Sequence, residues 1–196
     1  MGWEFTREYL DKSRKQIVKE HVEWEYCGKT CKVIYAVEKG STVYMAVECH
    51  DSETGYTNVV GMVALTTIRS KEDFNFGIKL MDETMLPNYY QAPRRLLDML
   101  TPTDDEWALE WRKRCRKQYE ETLQYHRLYD YMHTLPYGTI LQLGDRAKTL
   151  IELFYFRGKL VYKIVDRDKR ISLHKIMKCG FTVVSVGKNR ASPAEA

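Results

Sequence analysis

Apolar and polar positions alternate with a period of two along three stretches, Lys32–Glu38, Ser41–His50 and Tyr56–Arg69. All three are rich in Val, Ile, Tyr and Thr, and the turn-forming KG and DSETG separate them. This pattern predicts three strands of an antiparallel meander. In the second stretch Val43, Met45 and Val47 alternate with Tyr44, Ala46 and Glu48, a pattern apolar on both sides in its centre. For a strand of that kind, one face is expected to be covered by helices and the other partly by another part of the chain. Trp3 and Phe5 alternate with charged neighbours and predict a short opening strand, and Leu10, Ile17, Val18, His21 and Val22 recur at helical spacing between Glu8 and about Trp24. His21 on that stripe reads as a packed side chain.

The period changes between Phe74 and Thr103. Phe74, Phe76 and Ile78 still alternate, but Gly77 interrupts them and predicts a segment at the end of the sheet. Pro93 is placed to open a short helix through Leu100. Thr103 and Glu106 then form the capping pattern T-x-x-E, with Asp104 and Asp105 at the positive end of the helix dipole, and a helical pattern runs to about Tyr125. Residues 126–137 read as the end of this helix and a hinge. From Gly138 onward the segments GTILQLG, TLIELFYF, KLVYKIV, RISLHKIM and FTVVSVG are short and β-rich, with one helical turn over Leu173–Met177. Five such strands suggest a small SH3-like barrel. The expected organisation is therefore α+β: an N-terminal antiparallel meander packed with helices over 1–125, a hinge over 126–137, an all-β barrel over 138–188 and a disordered tail over 189–196.

Composition narrows the class. The chain has 196 residues, 44% hydrophobic and 30% charged, as in soluble globular proteins. No apolar run approaches the ~20 residues a membrane helix needs, and no signal peptide precedes the charged start, so a cytoplasmic protein is expected. The five cysteines, Cys27, Cys31, Cys49, Cys115 and Cys179, are odd in number and scattered, which suits reduced thiols. Cys27, Cys31 and Cys49 with His50 evoke a zinc site, but the spacing is not that of a usual knuckle, and buried thiols are the better reading. No metal or cofactor is expected.

Charge is uneven. Residues 1–103 hold 13 Lys and Arg against 15 Asp and Glu, net −2, whereas residues 104–196 hold 18 against 12, net +6. The imbalance suggests an acidic partner surface, nucleic acid or protein. Two clusters carry it. On the long helix Trp107, Trp111, Cys115 and Tyr119 form a stripe that reads as core or interdomain contact, and opposite it lies the basic run Arg112, Lys113, Arg114, Arg116 and Lys117. In the barrel, Arg157, Lys159, Arg167, Lys169 and Arg170 fall at hairpin tips, where binding loops are usual. Arg112, Lys113, Arg116, Lys117 and these five are the candidate partner or nucleic-acid contacts. His126 and His133 are seven apart and would share a helix face, but lack further ligands.

A rival reading is enzymatic. His50 and Asp51 end one strand, while Asp82 and Glu83 are adjacent carboxylates between Met81 and Met85. Gathered at one end of the sheet, the four would suit metal-assisted hydrolysis. Asp82 and Glu83 read first as a solvated acidic turn or a helix N-terminus, and no nucleophile motif or phosphate loop accompanies them.

Met1-Gly2-Trp3, the block NFGIKLMDETM and the run LLDMLTPTDDEWALEWRKRC resemble a family of small accessory proteins carried by plasmids, conjugative elements and phages of Gram-positive and gut bacteria. The resemblance covers about the first 120 residues. It implies genomic context, with no catalytic residues to carry over: short genes in such settings often counter host defence, some as anti-CRISPR inhibitors of Cas9. The expected partner is then a bacterial defence effector such as a Cas nuclease, with or without nucleic-acid contact and with no membrane. A net charge of +4 argues against pure mimicry of duplex DNA, which needs a strongly acidic surface.

Overall fold

The computed structural model describes residues 2–5, 23–26, 28–68 and 76–187. The expected helix from Glu8 falls largely on 8–22, and the expected tail on 189–196; both lie outside the described residues. Trp24, which the helical spacing places at the end of that helix, belongs instead to a strand. The fold is α+β, and the chain divides into two units, Met1–Glu120 and Glu121–Ala196.

The first unit is built on a six-stranded antiparallel sheet in the order β1-β6-β5-β4-β3-β2. Its strands are β1 (Gly2–Phe5), β2 (Glu23–Tyr26), β3 (Lys29–Lys39), β4 (Thr42–Asp51), β5 (Thr57–Ile68) and β6 (Phe76–Asp82). β3, β4 and β5 are the meander that the alternation predicts. β6 departs from expectation: it does not end the sheet, because β1 pairs along its outer side and sets Glu4 opposite Gly77. Alternation within one strand cannot reveal a partner about seventy residues away in sequence.

The central strand is covered on both faces. On one, Val43, Met45 and Val47 pack with Cys31, Val33, Cys49, Met62 and Ala64. On the other, Tyr44 and Ala46 pack with Val63, Leu65, Leu96, Leu97, Leu100, Trp111 and Cys115. The second set draws on helix α1 (Arg94–Leu97), shorter than expected and with Pro93 just before its first residue, and on α2 (Glu106–Thr134). α2 begins later than the T-x-x-E pattern implies. The capping side chain is Asp105, whose carboxylate accepts from the Ala108 amide at 2.8 Å, while Thr103 accepts from the Asp105 amide. The helix then continues without interruption to Thr134, so residues 126–134 are helical and only the stretch after them turns. The division between the two units falls inside it, at Glu120.

The second unit carries a five-stranded antiparallel sheet in the order β10-β9-β8-β7-β11. The strands are β7 (Ile140–Leu143), β8 (Leu150–Phe156), β9 (Lys159–Ile164), β10 (Arg170–Ile171) and β11 (Phe181–Ser185). The helix α3 (Leu173–Cys179) precedes the last strand, and Ser172 caps it by accepting from the Lys175 amide. Leu141, Leu143, Ile151, Leu153, Tyr162, Leu173 and Ile176 form the core with Met132 of α2. Among the described residues no helix is long and apolar enough to cross a membrane.

Candidate nucleic-acid interface

Strand alternation determines which side chains of the second unit face outward. Ile151 and Leu153 of β8 and Tyr162 of β9 point into the core, so the intervening Glu152, Phe154 and Phe156, and Lys159, Val161 and Lys163, lie on the opposite face. The pairing sets Phe156 opposite Lys159, Phe154 opposite Val161 and Glu152 opposite Lys163, and Arg170 of β10 extends the last row. Cations and aromatic carbon thus share one sheet face.

Phe156, the last residue of β8, stands at the hairpin end of this face. It is exposed, and two guanidiniums lie over its ring, Arg170 at 4.5 Å and Arg157 at 5.4 Å from the centroid. Arg157 and Gly158 form the two-residue loop between β8 and β9, with φ of 51° and 72°. Such loops need positive φ at both positions and favour Asn followed by Gly. A left-handed arginine costs about 1–2 kcal/mol relative to its ordinary conformation. The cost is consistent with the arginine being kept for its charge. Lys163 is bridged to Asp168 at 3.1 Å, and Arg167 and Lys169 are exposed in the turn between β9 and β10.

The helix cluster is arranged differently. Arg112 is not a surface residue: it is 6% exposed and clamps Glu83, its Nε and Nη2 donating to the two carboxylate oxygens at 2.7 and 2.6 Å. Its Nη1 donates to the Thr101 carbonyl at 2.8 Å. This corrects the expectation that Arg112 belongs to a partner-binding patch, because the residue is spent inside the first unit. Arg114 is half-buried, bonded to Glu110 and the Tyr90 hydroxyl, with its guanidinium over the Tyr90 ring. Lys113, Arg116 and Lys117 are exposed, and Lys113 lies 3.8 Å from Glu110. The aromatic stripe divides likewise. Trp111 and Cys115 are fully buried, whereas Trp107 and Tyr119 are exposed.

The residues of the enzymatic reading are each engaged locally. His50 bonds the Thr57 hydroxyl through Nδ1, and Asp51 accepts from the amides of Glu53 and Thr54 in the turn that follows. Those turn bonds, the Thr54 amide first, hold the Asp51 carboxyl below its usual range. Asp82 caps a 3-10 turn over Glu83–Met85, accepting from the Thr84 amide, and Glu83 belongs to Arg112. Asp82 stands opposite Met62, which pairs with Met45, while His50 lies at the far end of β4. At about 3.3 Å per residue, the steps from Met45 to His50 along β4 separate the rows by roughly 17 Å. The four residues are not gathered. Among the described residues no group of three or more His, Cys, Asp and Glu side chains is placed to hold a metal. That includes His126 and His133, the latter bonded to the Tyr129 carbonyl.

A cavity of about 400 Å³ in the first unit is lined by the β3–β4 turn, residues 88–91 and Gln118. Two of its three tyrosine hydroxyls are already used: Tyr44 accepts from the Gln91 amide, and Tyr90 bonds Asn88 and Arg114. Sequence reasoning missed Phe154, Phe156 and Lys163. The signal that would have found them is the alternation in LIELFYF and KLVYKIV, read for its outward set. No protein-family model, curated protein or solved structure matches this chain.

Proposed function

We propose that this chain is a binding protein and not an enzyme, and that it grips an anionic partner with the outer face of β8–β10. The observation that carries this is Phe156, an exposed ring with Arg157 and Arg170 over it and Lys159 paired beside it. Aromatic rings among cations suit single-stranded nucleic acid, in which bases stack and phosphates meet positive charge. The strand order, with a short helix before the last strand, supports reading the second unit as an SH3-like barrel. Small barrels serve as binding modules on many proteins, an argument from fold analogy.

The resemblance of the first 120 residues to mobile-element accessory proteins supplies the setting. In it, the chain acts in the cytoplasm of a bacterial host as an anti-defence inhibitor, an anti-CRISPR whose target is a Cas nuclease or its nucleic-acid complex. The mild positive charge favours contact with the nucleic acid or with acidic protein surface over occupation of a cationic channel.

The test is capture of the tagged protein from lysate of a host containing CRISPR and restriction systems, with and without nuclease, read by mass spectrometry. Arg157→Glu with Arg170→Glu serves as the control. Recovery of a defence effector by the native chain and not by the variant is the expected outcome. Loss of recovery on nuclease treatment assigns the contact to nucleic acid, and persistence assigns it to protein. Equal recovery by both forms overturns the assignment of this face.

A further inference from the structure

The ladders of the first sheet bring four non-aliphatic side chains into one row. Trp24 of β2 stands opposite Cys31 of β3, Cys31 opposite Cys49 of β4, and Cys49 opposite Asn58 of β5. Directly opposed residues of antiparallel strands point to the same face, here the one packed with Val33, Val47 and Met45. Both thiols are buried, and their sulfurs are 2.8 Å apart. At the ends of the row, Trp24 Nε1 and Asn58 Oδ1 are buried and have no hydrogen-bond partner among the described residues.

We propose that Cys31 and Cys49 are a redox-active pair that closes to an intrachain disulfide, joining β3 to β4. A sulfur–sulfur bond is about 2.05 Å long, so the two atoms have less than about 1 Å to travel. The strand register already fixes the two side chains face to face. In the reaction two S–H bonds break and one S–S bond forms. The two electrons and two protons released go to a small-molecule disulfide such as oxidised glutathione, which leaves as two thiols.

Burial controls when this happens. Burial, and then the hydrogen bond with Cys31, raises the Cys49 thiol far above its ordinary pKa, so the attacking thiolate is scarce in the folded chain. The bond therefore closes during folding or when the edge strand β2 opens, and once closed it is shielded from reductants. In a compartment that keeps thiols reduced the pair stays open, and under oxidising conditions it becomes a staple.

The experiment is refolding of the full-length protein from denaturant in glutathione buffers of increasing oxidised fraction. Free thiols are then alkylated in denaturant and the peptides mapped by mass spectrometry. The expected product is the linked pair of peptides carrying Cys31 and Cys49, in a chain lighter by two hydrogens. It should have a higher urea midpoint than the reduced form, and in Cys49→Ala both the link and the midpoint shift should be lost. Mapping the native chain needs no variant, so a folding defect in Cys49→Ala leaves the result readable. Alkylation of all five cysteines at the most oxidising ratio, or linkage of either residue to Cys27 instead, overturns the proposal.

Discussion

The two basic clusters look alike as sequence, a run of Lys and Arg beside aromatic residues, and they end in opposite states. On α2 each residue turns by about 100°, so consecutive charges are dealt to different faces. Trp111 goes into the core, Arg112 follows it inward to Glu83, Arg114 folds back on Tyr90, and Lys113 and Arg116 are left outside. On β8 and β9 the period is two, and one face collects every second residue: Glu152, Phe154, Phe156, Lys159, Val161 and Lys163. A helical charge run overstates its free surface, whereas a strand pair concentrates the outward half on one plane.

The largest effect expected from this contrast belongs to Arg112. Removing one partner of a buried ion pair strands the other charge, so Arg112→Ala or Glu83→Ala should cost about 3–5 kcal/mol. A urea titration measures this, and a cost below about 1 kcal/mol would mean that Arg112 is solvated like its neighbours. Next is the seat of Trp111. A Cβ at Gly61 would lie 2.7 Å from the Trp111 ring, so Gly61→Ala should cost about 1–3 kcal/mol through overpacking. Combining it with Trp111→Phe should cost less than the sum of the two changes, as a double-mutant cycle would show.

Smaller again is the stability effect at the outer face of β8–β10, where the consequence lies in binding. Arg157→Glu with Arg170→Glu should change stability by no more than about 0.5 kcal/mol per site. The same pair should reduce affinity for a single-stranded oligonucleotide, and the salt dependence of log K should flatten by roughly one unit for each phosphate no longer neutralised. Lys113→Glu with Arg116→Glu should leave both stability and binding nearly unchanged, and an equal drop in affinity from the two double variants would erase the contrast. The sharpest single change is Arg157→Asn. It should hold or slightly raise the melting temperature, because Asn suits the left-handed loop position, while weakening binding.

The two units also invite comparison in acid. Asp51 in the first and Asp145 in the second both accept turn hydrogen bonds, Asp145 from the Thr149 amide and hydroxyl, and these bonds hold both carboxyls below their usual range. A depressed folded pKa gives stability that is present above the unfolded carboxylate value of about 3.9 and is lost as pH falls through the folded one. The stability gap between the native chain and Asp145→Asn should therefore narrow below that value in a pH series of melts.

Much of the fold was legible because its signals are local. The meander, the β-rich second half and the short helix before β11 all follow from period and turn residues. What was hidden depends on partners distant in sequence. Glu83 lies 29 residues from Arg112, and nothing in RKRC distinguishes the arginine that goes inward from those that stay out. β1 adds itself to β6 across most of the first unit. The row of Trp24, Cys31, Cys49 and Asn58 required strand registers, which alternation does not supply. The cap moved from Thr103 to Asp105 because three adjacent residues, Thr103, Asp104 and Asp105, all have capping side chains and only the helix start chooses among them. For the candidate interface, the hairpin charges were visible, but the phenylalanines beside them looked like any other apolar residues of a strand.

Gly61 and Trp111 carry a historical implication. The glycine sits in β5, in the sheet interior, because the indole of α2 fills the place where a side chain would be. A lineage that has reached this arrangement can leave it by few routes. Any first step at position 61 collides with the ring, and a first step at 111 leaves a void beside a residue that has no side chain to fill it. A change at either position is costly while the other stays, so in descendants of this chain the Gly–Trp pair should outlast the surface charges.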